Sequence, residues 1–459
     1  MTASAPPTLR LTPTGTQHLL HATLQDCITG LLIGSALGDA IGLYTEFLSA
    51  QASRTSYPAG TFTLAPASQA TPFRRDHHRA PHLTGEWTDD TDHALLILLS
   101  YLHGRAHGQA DPDPADFARR LSIWVRNGLR ALDTLPLGLG RTVGRIVRSG
   151  TFLDDAEGTA YGVWVGGGRN VAPNGSLMRT HPLGVMCLGK SREETFGVAG
   201  RFSVVTHVDP RCVVSCAIGT ELLRGLVAGE YSTETDVDTV IDAAVAWYGG
   251  WAAEKHTKLE REGEVPGLDV EELDRHVRGD KVKELGQLQL DDGQKMGYVY
   301  KCLGSGILIL RLAMRRLAES NRPMAVQMVL FEELITDLTY EGGDADTNAV
   351  FAGALLGALL GYRAIPTHRR DGLRHGEWLM DKSEALCRVI GVSPGTYDGK
   401  EDKDTLPDGG RGLLSEHEME GRWMMLQARI AKEETEYRRK KEAEEKKKVG
   451  FLKFLSSNK

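Results

Sequence analysis

The chain has 459 residues, of which 41% are hydrophobic and 25% charged, and its formal net charge is -7. That length buries a large core, as one large domain with appendages or as two or three smaller ones, and the acidic balance excludes a global basic field that would recruit nucleic acid. Cys27, Cys187, Cys212, Cys216, Cys302 and Cys387 form no CxxC pair, so they read as reduced core thiols of an intracellular protein rather than a disulfide framework. A cytoplasmic location is expected, with the nucleus open.

The opening stretch MTASAPPTLRLTPTGTQ lacks the charged start and apolar run of a secretory signal. Residues 1–22 read as a flexible N-terminal segment. From 23 to 47 the pattern reads as one buried helix, with Ile28, Leu31, Leu32, Ile33, Leu37 and Ile41 at helical spacing. Gly30, Gly34, Gly38 and Gly42 recur on every fourth residue within it. A glycine costs about 1 kcal/mol per helical position against alanine, so a stripe of them points to a second helix packed closely against this one.

Residues 48–84 are rich in Ser, Ala, Pro and His and read as a long loop, of a length that is often functional. Helices are predicted at 91–102, 115–131, 204–228 and 237–254, then a polar insertion at 255–296, then helices at 298–317 and 324–338. The best membrane candidate by eye, 349–360, is well short of the roughly 20 residues a spanning helix needs, and a soluble protein is expected. That segment carries a second stripe, Gly353, Gly357 and Gly361, and the two glycine helices are expected to pair at the centre of a helical domain. Residues 394–412 read as a linker, and 415–449 as a charged helix whose Trp423, Met424, Met425, Leu426 and Ile430 give only a short apolar face. Strand patterns are nearly absent, so the fold class is all-α. The expected organisation is a core domain over 23–393 followed by the linker and tail helix.

Two acidic clusters open apolar helices: TDDTD at residues 88–92 and DADT at residues 344–347. Asp and Thr are favoured helix caps and suit the helix dipole, which is the ordinary reading of either cluster alone. Capping needs one or two acceptors, and these clusters supply far more. Crowded carboxylates need a positive partner, and no Lys or Arg lies within either cluster. Hard divalent cations take carboxylate and hydroxyl oxygens, whereas zinc-type His/Cys spacing is missing. If the clusters meet, they can hold two metals. His93 reads as a packing residue. DADT also resembles the DxDxT of haloacid-dehalogenase phosphatases, but it comes late in the chain and follows no apolar strand.

Five motifs occur in the order seen in ADP-ribosylglycohydrolases: GLLIGSALGDAIGLYTEF, TDDTDHALL, NGSLMRTHPLGV, THVDPR and GGDADTNAVFAGALLGALLGY. The resemblance implies an all-α orthogonal bundle with a central dinuclear cleft holding two divalent cations, Mg²⁺ or Mn²⁺. It makes Thr88, Asp89, Asp90, Asp344, Asp346 and Thr347 metal ligands, and Glu46 or Asp89 the acid/base. It brings Asn174, Gly175, Ser176, Leu177, Met178, His207 and Tyr298 to an ADP-ribosyl ligand. Asp39, inside an apolar helix, is expected to support the site rather than bind metal. The implied activity is hydrolysis of the C1″ bond of an ADP-ribosylated protein or small conjugate by a monomer. The alternatives are an ADP-ribose-binding relative with weak catalysis, or another dinuclear-metal hydrolase such as a phosphoesterase. The 255–296 stretch and the tail match no family motif.

Overall fold

The computed structural model describes residues 12–258, 267–321 and 323–457. Among the described residues, seventeen α-helices and a few 3-10 turns make up the regular structure, and β pairing is limited to two isolated bridges, Ser49 with Gly342 and Pro173 with Tyr298. The fold is all-α, as the sequence predicts.

The two glycine stripes face each other. Pro13–Gly42 runs antiparallel to Ala345–Leu360, and a Cβ on Gly30, Gly34 or Gly38 would fall 2.4, 2.5 or 1.9 Å from the carbonyl oxygen of Gly357, Gly353 or Ala349. No side chain fits in those gaps, so the helices meet backbone to backbone. Antiparallel packing has a consequence at the far end. Gly42 abuts Asp346, with a Cβ position 2.3 Å from its Cα, so the C-terminus of one helix meets the acidic N-terminus of the other. Phe351 then fills notches in two further helices, left by Gly306 of Val299–Glu319 and Gly219 of Pro210–Ala228.

The first helix begins at Pro13, behind the N-cap Thr12, so residues 13–22 are its exposed opening turns, and residues 1–11 lie outside the described residues. By length and apolarity this helix, not 349–360, would suffice to cross a bilayer, yet 78% of its apolar window is buried inside the protein. The helix predicted over 204–228 begins only at Pro210, and residues 204–209 lie in the turn before it. Arg192–Ser203 ends, a turn follows, and Pro210–Ala228 restarts with Asp209 as N-cap and Pro210 in the first turn. Within 255–296, Val270–Val277 is a short helix with Leu273 and Val277 buried, while 259–266 lie outside the described residues. The stretch 394–412 is seated on the body: Lys382 pairs with Asp402 (2.6 Å) and Asp404 (3.0 Å), and Arg120 donates to the Thr405 carbonyl (2.8 Å). The charged helix runs Glu416–Ser457. Among the described residues, helices without a counterpart in the prediction are Ala50–Ser56, which interrupts the expected 48–84 loop, Arg141–Val147, Ala156–Gly166, Arg192–Ser203, Val270–Val277, Thr367–Arg370 and Gly376–Val389.

Candidate metal centre

Asp39 joins the first helix to the TDDTD helix, Asp89–Ala106. It accepts from the backbone N–H of Thr88 (2.9 Å) and of Thr91 (3.0 Å) and from the Thr91 hydroxyl (2.6 Å). Asp39 therefore does most of the capping from outside, and burial lifts its own pKa to about 6. Asp92 is also occupied, by the indole N–H groups of Trp87 (2.9 Å) and Trp124 (2.8 Å). His93 stands edge-on to Trp124 at 4.5 Å and is fully buried, which makes it the packing residue expected. Asp344 sits at the N-cap of Ala345–Leu360 without making a side-chain cap. Capping thus leaves Asp89, Asp90 and Asp344 free for other work.

Asp344 converges with Glu46 and Asp346. One oxygen from each of Glu46, Asp344 and Asp346 lies within 4.8 Å of the others. The Thr88 hydroxyl spans the two half-sites, 3.2 Å from Asp90 Oδ2 and 3.4 Å from Asp346 Oδ2. Thr347 is buried in the first turn of the same helix as Asp346, and its backbone N–H donates to Asp346 Oδ1 at 2.9 Å. Asp89 lies under Gly138, where a Cβ would be 2.2 Å from its Oδ1. Burial, and then the neighbouring carboxylates, push Asp89, Asp90 and Asp346 well above the usual range and raise Asp344. Asp90 Oδ1 is buried with no donor to satisfy it. A group of acidic oxygens with a hydroxyl between them, one oxygen orphaned and two helix N-termini aimed inward, fits hard divalent cations.

Glu46 joins the acidic group of Asp344 and Asp346 rather than standing apart from it, and it has a partner the sequence did not single out. His78 Nε2 lies 2.5 Å from Glu46 Oε2. His78 belongs to the 48–84 loop, which Arg79 ties down by donating to the carbonyls of Tyr44 (2.9 Å) and Glu46 (2.5 Å). The only signal was a run of His and Arg, RRDHHRAPH, and nothing in its spacing said which ring turns back.

The ligand residues separate. Asn174 donates to Asp344 Oδ2 at 2.8 Å, and its own backbone N–H bonds Gly297. Gly175 lies against His207, with a Cβ position 3.2 Å from Nε2. Ser176 points inward to Ser203 and Cys216, and Leu177 and Met178 are buried beside it. Tyr298 donates to Glu272 of the short helix in the insertion, and Arg211 lies 5.6 Å over its ring.

Residues 20–395 match the family described as ADP-ribosylglycohydrolase, well over half of the chain. The chain belongs to the ADP-ribosylglycohydrolase family. It is 25% identical to the ADP-ribosylarginine hydrolase Tri1 of Serratia proteamaculans over 363 residues, 79% of this chain and 79% of that protein. Against Tri1 of Pseudomonas putida it is 26% identical over 46% of this chain and 49% of that protein. A solved structure described as an ADP-ribosylglycohydrolase-related protein complex matches with a TM-score of 0.48 and 23% identity, covering 80% of this chain and 99% of that one.

Proposed function

We propose that this family member is a divalent-cation-dependent hydrolase that releases ADP-ribose by cleaving the C1″ bond to its acceptor, with the guanidinium nitrogen of an ADP-ribosylated arginine as the first acceptor to consider. The observation that carries the reading is the meeting of two acidic helix mouths around Asp90, Asp344, Asp346 and the bridging hydroxyl of Thr88. The names of the Tri1 relatives support the arginine linkage.

Thr88, Asp89, Asp90, Asp344, Asp346 and Thr347 would hold two Mg²⁺ or Mn²⁺ ions, which supply charge neutralisation, a grip on the ribose hydroxyls and activation of water. The protein's own groups do the rest. Asn174 holds Asp344 in place through its side-chain amide. Binding at the two helix mouths would fix the ribose against the attacking water, a positioning effect. Bond breaking at C1″ passes through an oxocarbenium-like state, and the crowded carboxylates favour that positive charge. Glu46, oriented by His78, takes the proton from water and returns one to the leaving nitrogen. Asp89 is the second choice for that role.

The test pairs calorimetric titration of Mn²⁺ and Mg²⁺ with circular dichroism. Asp346→Ala should retain its helicity while losing cation binding and turnover. Wild-type turnover in that variant would sink the assignment.

A further inference from the structure

Behind the Gly175 turn lies a chain of three buried side chains that the chemistry above does not use. Arg179 is 0% exposed and pairs with no carboxylate; its Nη2 donates to Thr206 Oγ1 at 2.7 Å and to the Phe202 carbonyl at 3.3 Å, and its guanidinium lies 4.9 Å over the Phe117 ring. Thr206 Oγ1 is in turn 2.7 Å from His207 Nδ1. His207 is held by its backbone: its N–H donates to the Ser203 carbonyl (2.7 Å), and its own carbonyl accepts from the Ser203 hydroxyl (2.9 Å). The far ring nitrogen, Nε2, is buried without a partner and lies against Gly175.

Donor and acceptor roles along this chain follow from leaving the fewest hydrogen bonds unmade. A guanidinium can only donate, so Thr206 Oγ1 accepts from Arg179. The hydroxyl has one hydrogen to give, and Thr206 is 2% exposed, away from bulk water. His207 Nδ1 is the other polar atom recorded at Thr206 Oγ1, and as a buried acceptor it satisfies that hydrogen. Burial and then the Arg179 charge hold His207 well below its ordinary pKa, so the ring is neutral and carries one proton. With Nδ1 accepting, that proton is on Nε2. A buried donor left unmade costs about 1–3 kcal/mol, and such a group faces a turn whose glycine leaves room beside it.

We propose that Thr206, oriented by Arg179, is a positioning residue that fixes His207 as the Nε2–H tautomer, so that the ring presents a neutral donor to a phosphate or ribose oxygen lying across Gly175. The ligand half rests on the ADP-ribosyl reading above; the tautomer half does not. In the opposite tautomer a bare nitrogen lone pair would repel a phosphate oxygen and could only accept from a ribose hydroxyl. Arg179 and Thr206 thus contribute to binding through the histidine without touching the ligand.

Nitrogen-15 NMR of protein labelled at histidine, with His207 assigned by its loss in His207→Gln, reads the tautomer directly. The ligand-free wild type should show Nε2 protonated and Nδ1 bare; protonated Nδ1 in the wild type overturns the proposal without recourse to any variant. Thr206→Val, of nearly the same volume, should shift His207 toward Nδ1–H, and Thr206→Ser should restore the wild-type signature. With ADP-ribose as the probe in the presence of Mg²⁺, Thr206→Val should bind about tenfold more weakly, the worth of one hydrogen bond, and Thr206→Ser should bind like the wild type. An unchanged tautomer in Thr206→Val, or a changed tautomer with unchanged affinity, overturns the proposal. Failure of the wild type to bind ADP-ribose while its tautomer still depends on Thr206 would overturn the ADP-ribosyl reading and the ligand assigned here, a result distinct from loss of the tautomer effect.

Discussion

Glu46 is held between His78 on one side and the Asp344–Asp346 pair on the other. If it moves the proton, Glu46→Gln should lower turnover about 10²–10⁴-fold, the usual worth of general acid–base catalysis, while cation affinity falls less than in Asp346→Ala. Steady-state rates and cation titrations on the two variants check this, and equal losses of affinity would make Glu46 chiefly a metal ligand. Histidines elsewhere set an acid limit. His82 and His181 are neutral when folded, with pKa values drawn from 6.5 down to about 4, by burial first in both cases. Above pH 6.5 neither the folded nor the unfolded chain protonates them, and their contribution is complete. As pH falls from 6.5 towards 4 only the unfolded chain takes up the protons, so stability is lost. Melting temperatures should fall across that interval more steeply for the wild type than for His181→Met, which lacks the titrating ring; parallel slopes would contradict the assignment. At this scale the sequence made the acids legible because TDDTD and DADT offer more oxygens than capping can use. It did not reveal the Glu46–His78 contact, since 32 residues separate the partners and a loop of irregular backbone joins them.

The paired glycine helices make the largest demand on the elements. At Gly38 a Cβ would stand 1.9 Å from the Ala349 carbonyl oxygen, so Gly38→Ala must push the helices apart. The expected cost is about 1–3 kcal/mol or more, as for other overpacked cores, with weaker cation binding because Asp39 and Asp346 move with their helices. Gly162, exposed within Ala156–Gly166, meets nothing within 4 Å. There the same change should stabilise the protein by about 0.4–1 kcal/mol. Urea melts of the two variants should therefore move in opposite directions, and a shared direction would mean the stripe is not a contact surface. Spacing made this pair of helices legible, because glycine every fourth residue is costly unless something packs there. The break before Pro210 was only half legible: Asp209-Pro210 marks a turn ahead of a helix, but apolar residues from Val204 onward carry the helical pattern through it.

The tail helix closes the molecule over two loops that flank the acids. Arg422 pairs with Asp133 at 2.7 Å, in the loop that continues to Gly138 above Asp89. Arg429 donates to the Pro81 carbonyl at 2.6 Å, and Arg75 lies 3.8 Å over the Tyr437 ring, both in the loop that carries His78. The sequence showed a charged helix and nothing of this seat, because its ties to the two loops are arginine contacts and only Met419 among its described apolar residues is buried; Met424 and Met425 remain exposed. Arg422→Ala combined with Arg429→Ala should speed amide hydrogen exchange through residues 74–84 and lower turnover while leaving cation affinity unchanged. Unchanged exchange there would mean the tail merely rests on the loop. The central claim, cation-dependent release of ADP-ribose, is tested most directly by measuring free ADP-ribose from matched arginine-linked and serine-linked ADP-ribosyl peptides in Mg²⁺, Mn²⁺ or EDTA. The account predicts release from the arginine-linked peptide that EDTA abolishes and a divalent cation restores. Release that EDTA leaves untouched, or none from either peptide under any of the three conditions, would contradict it.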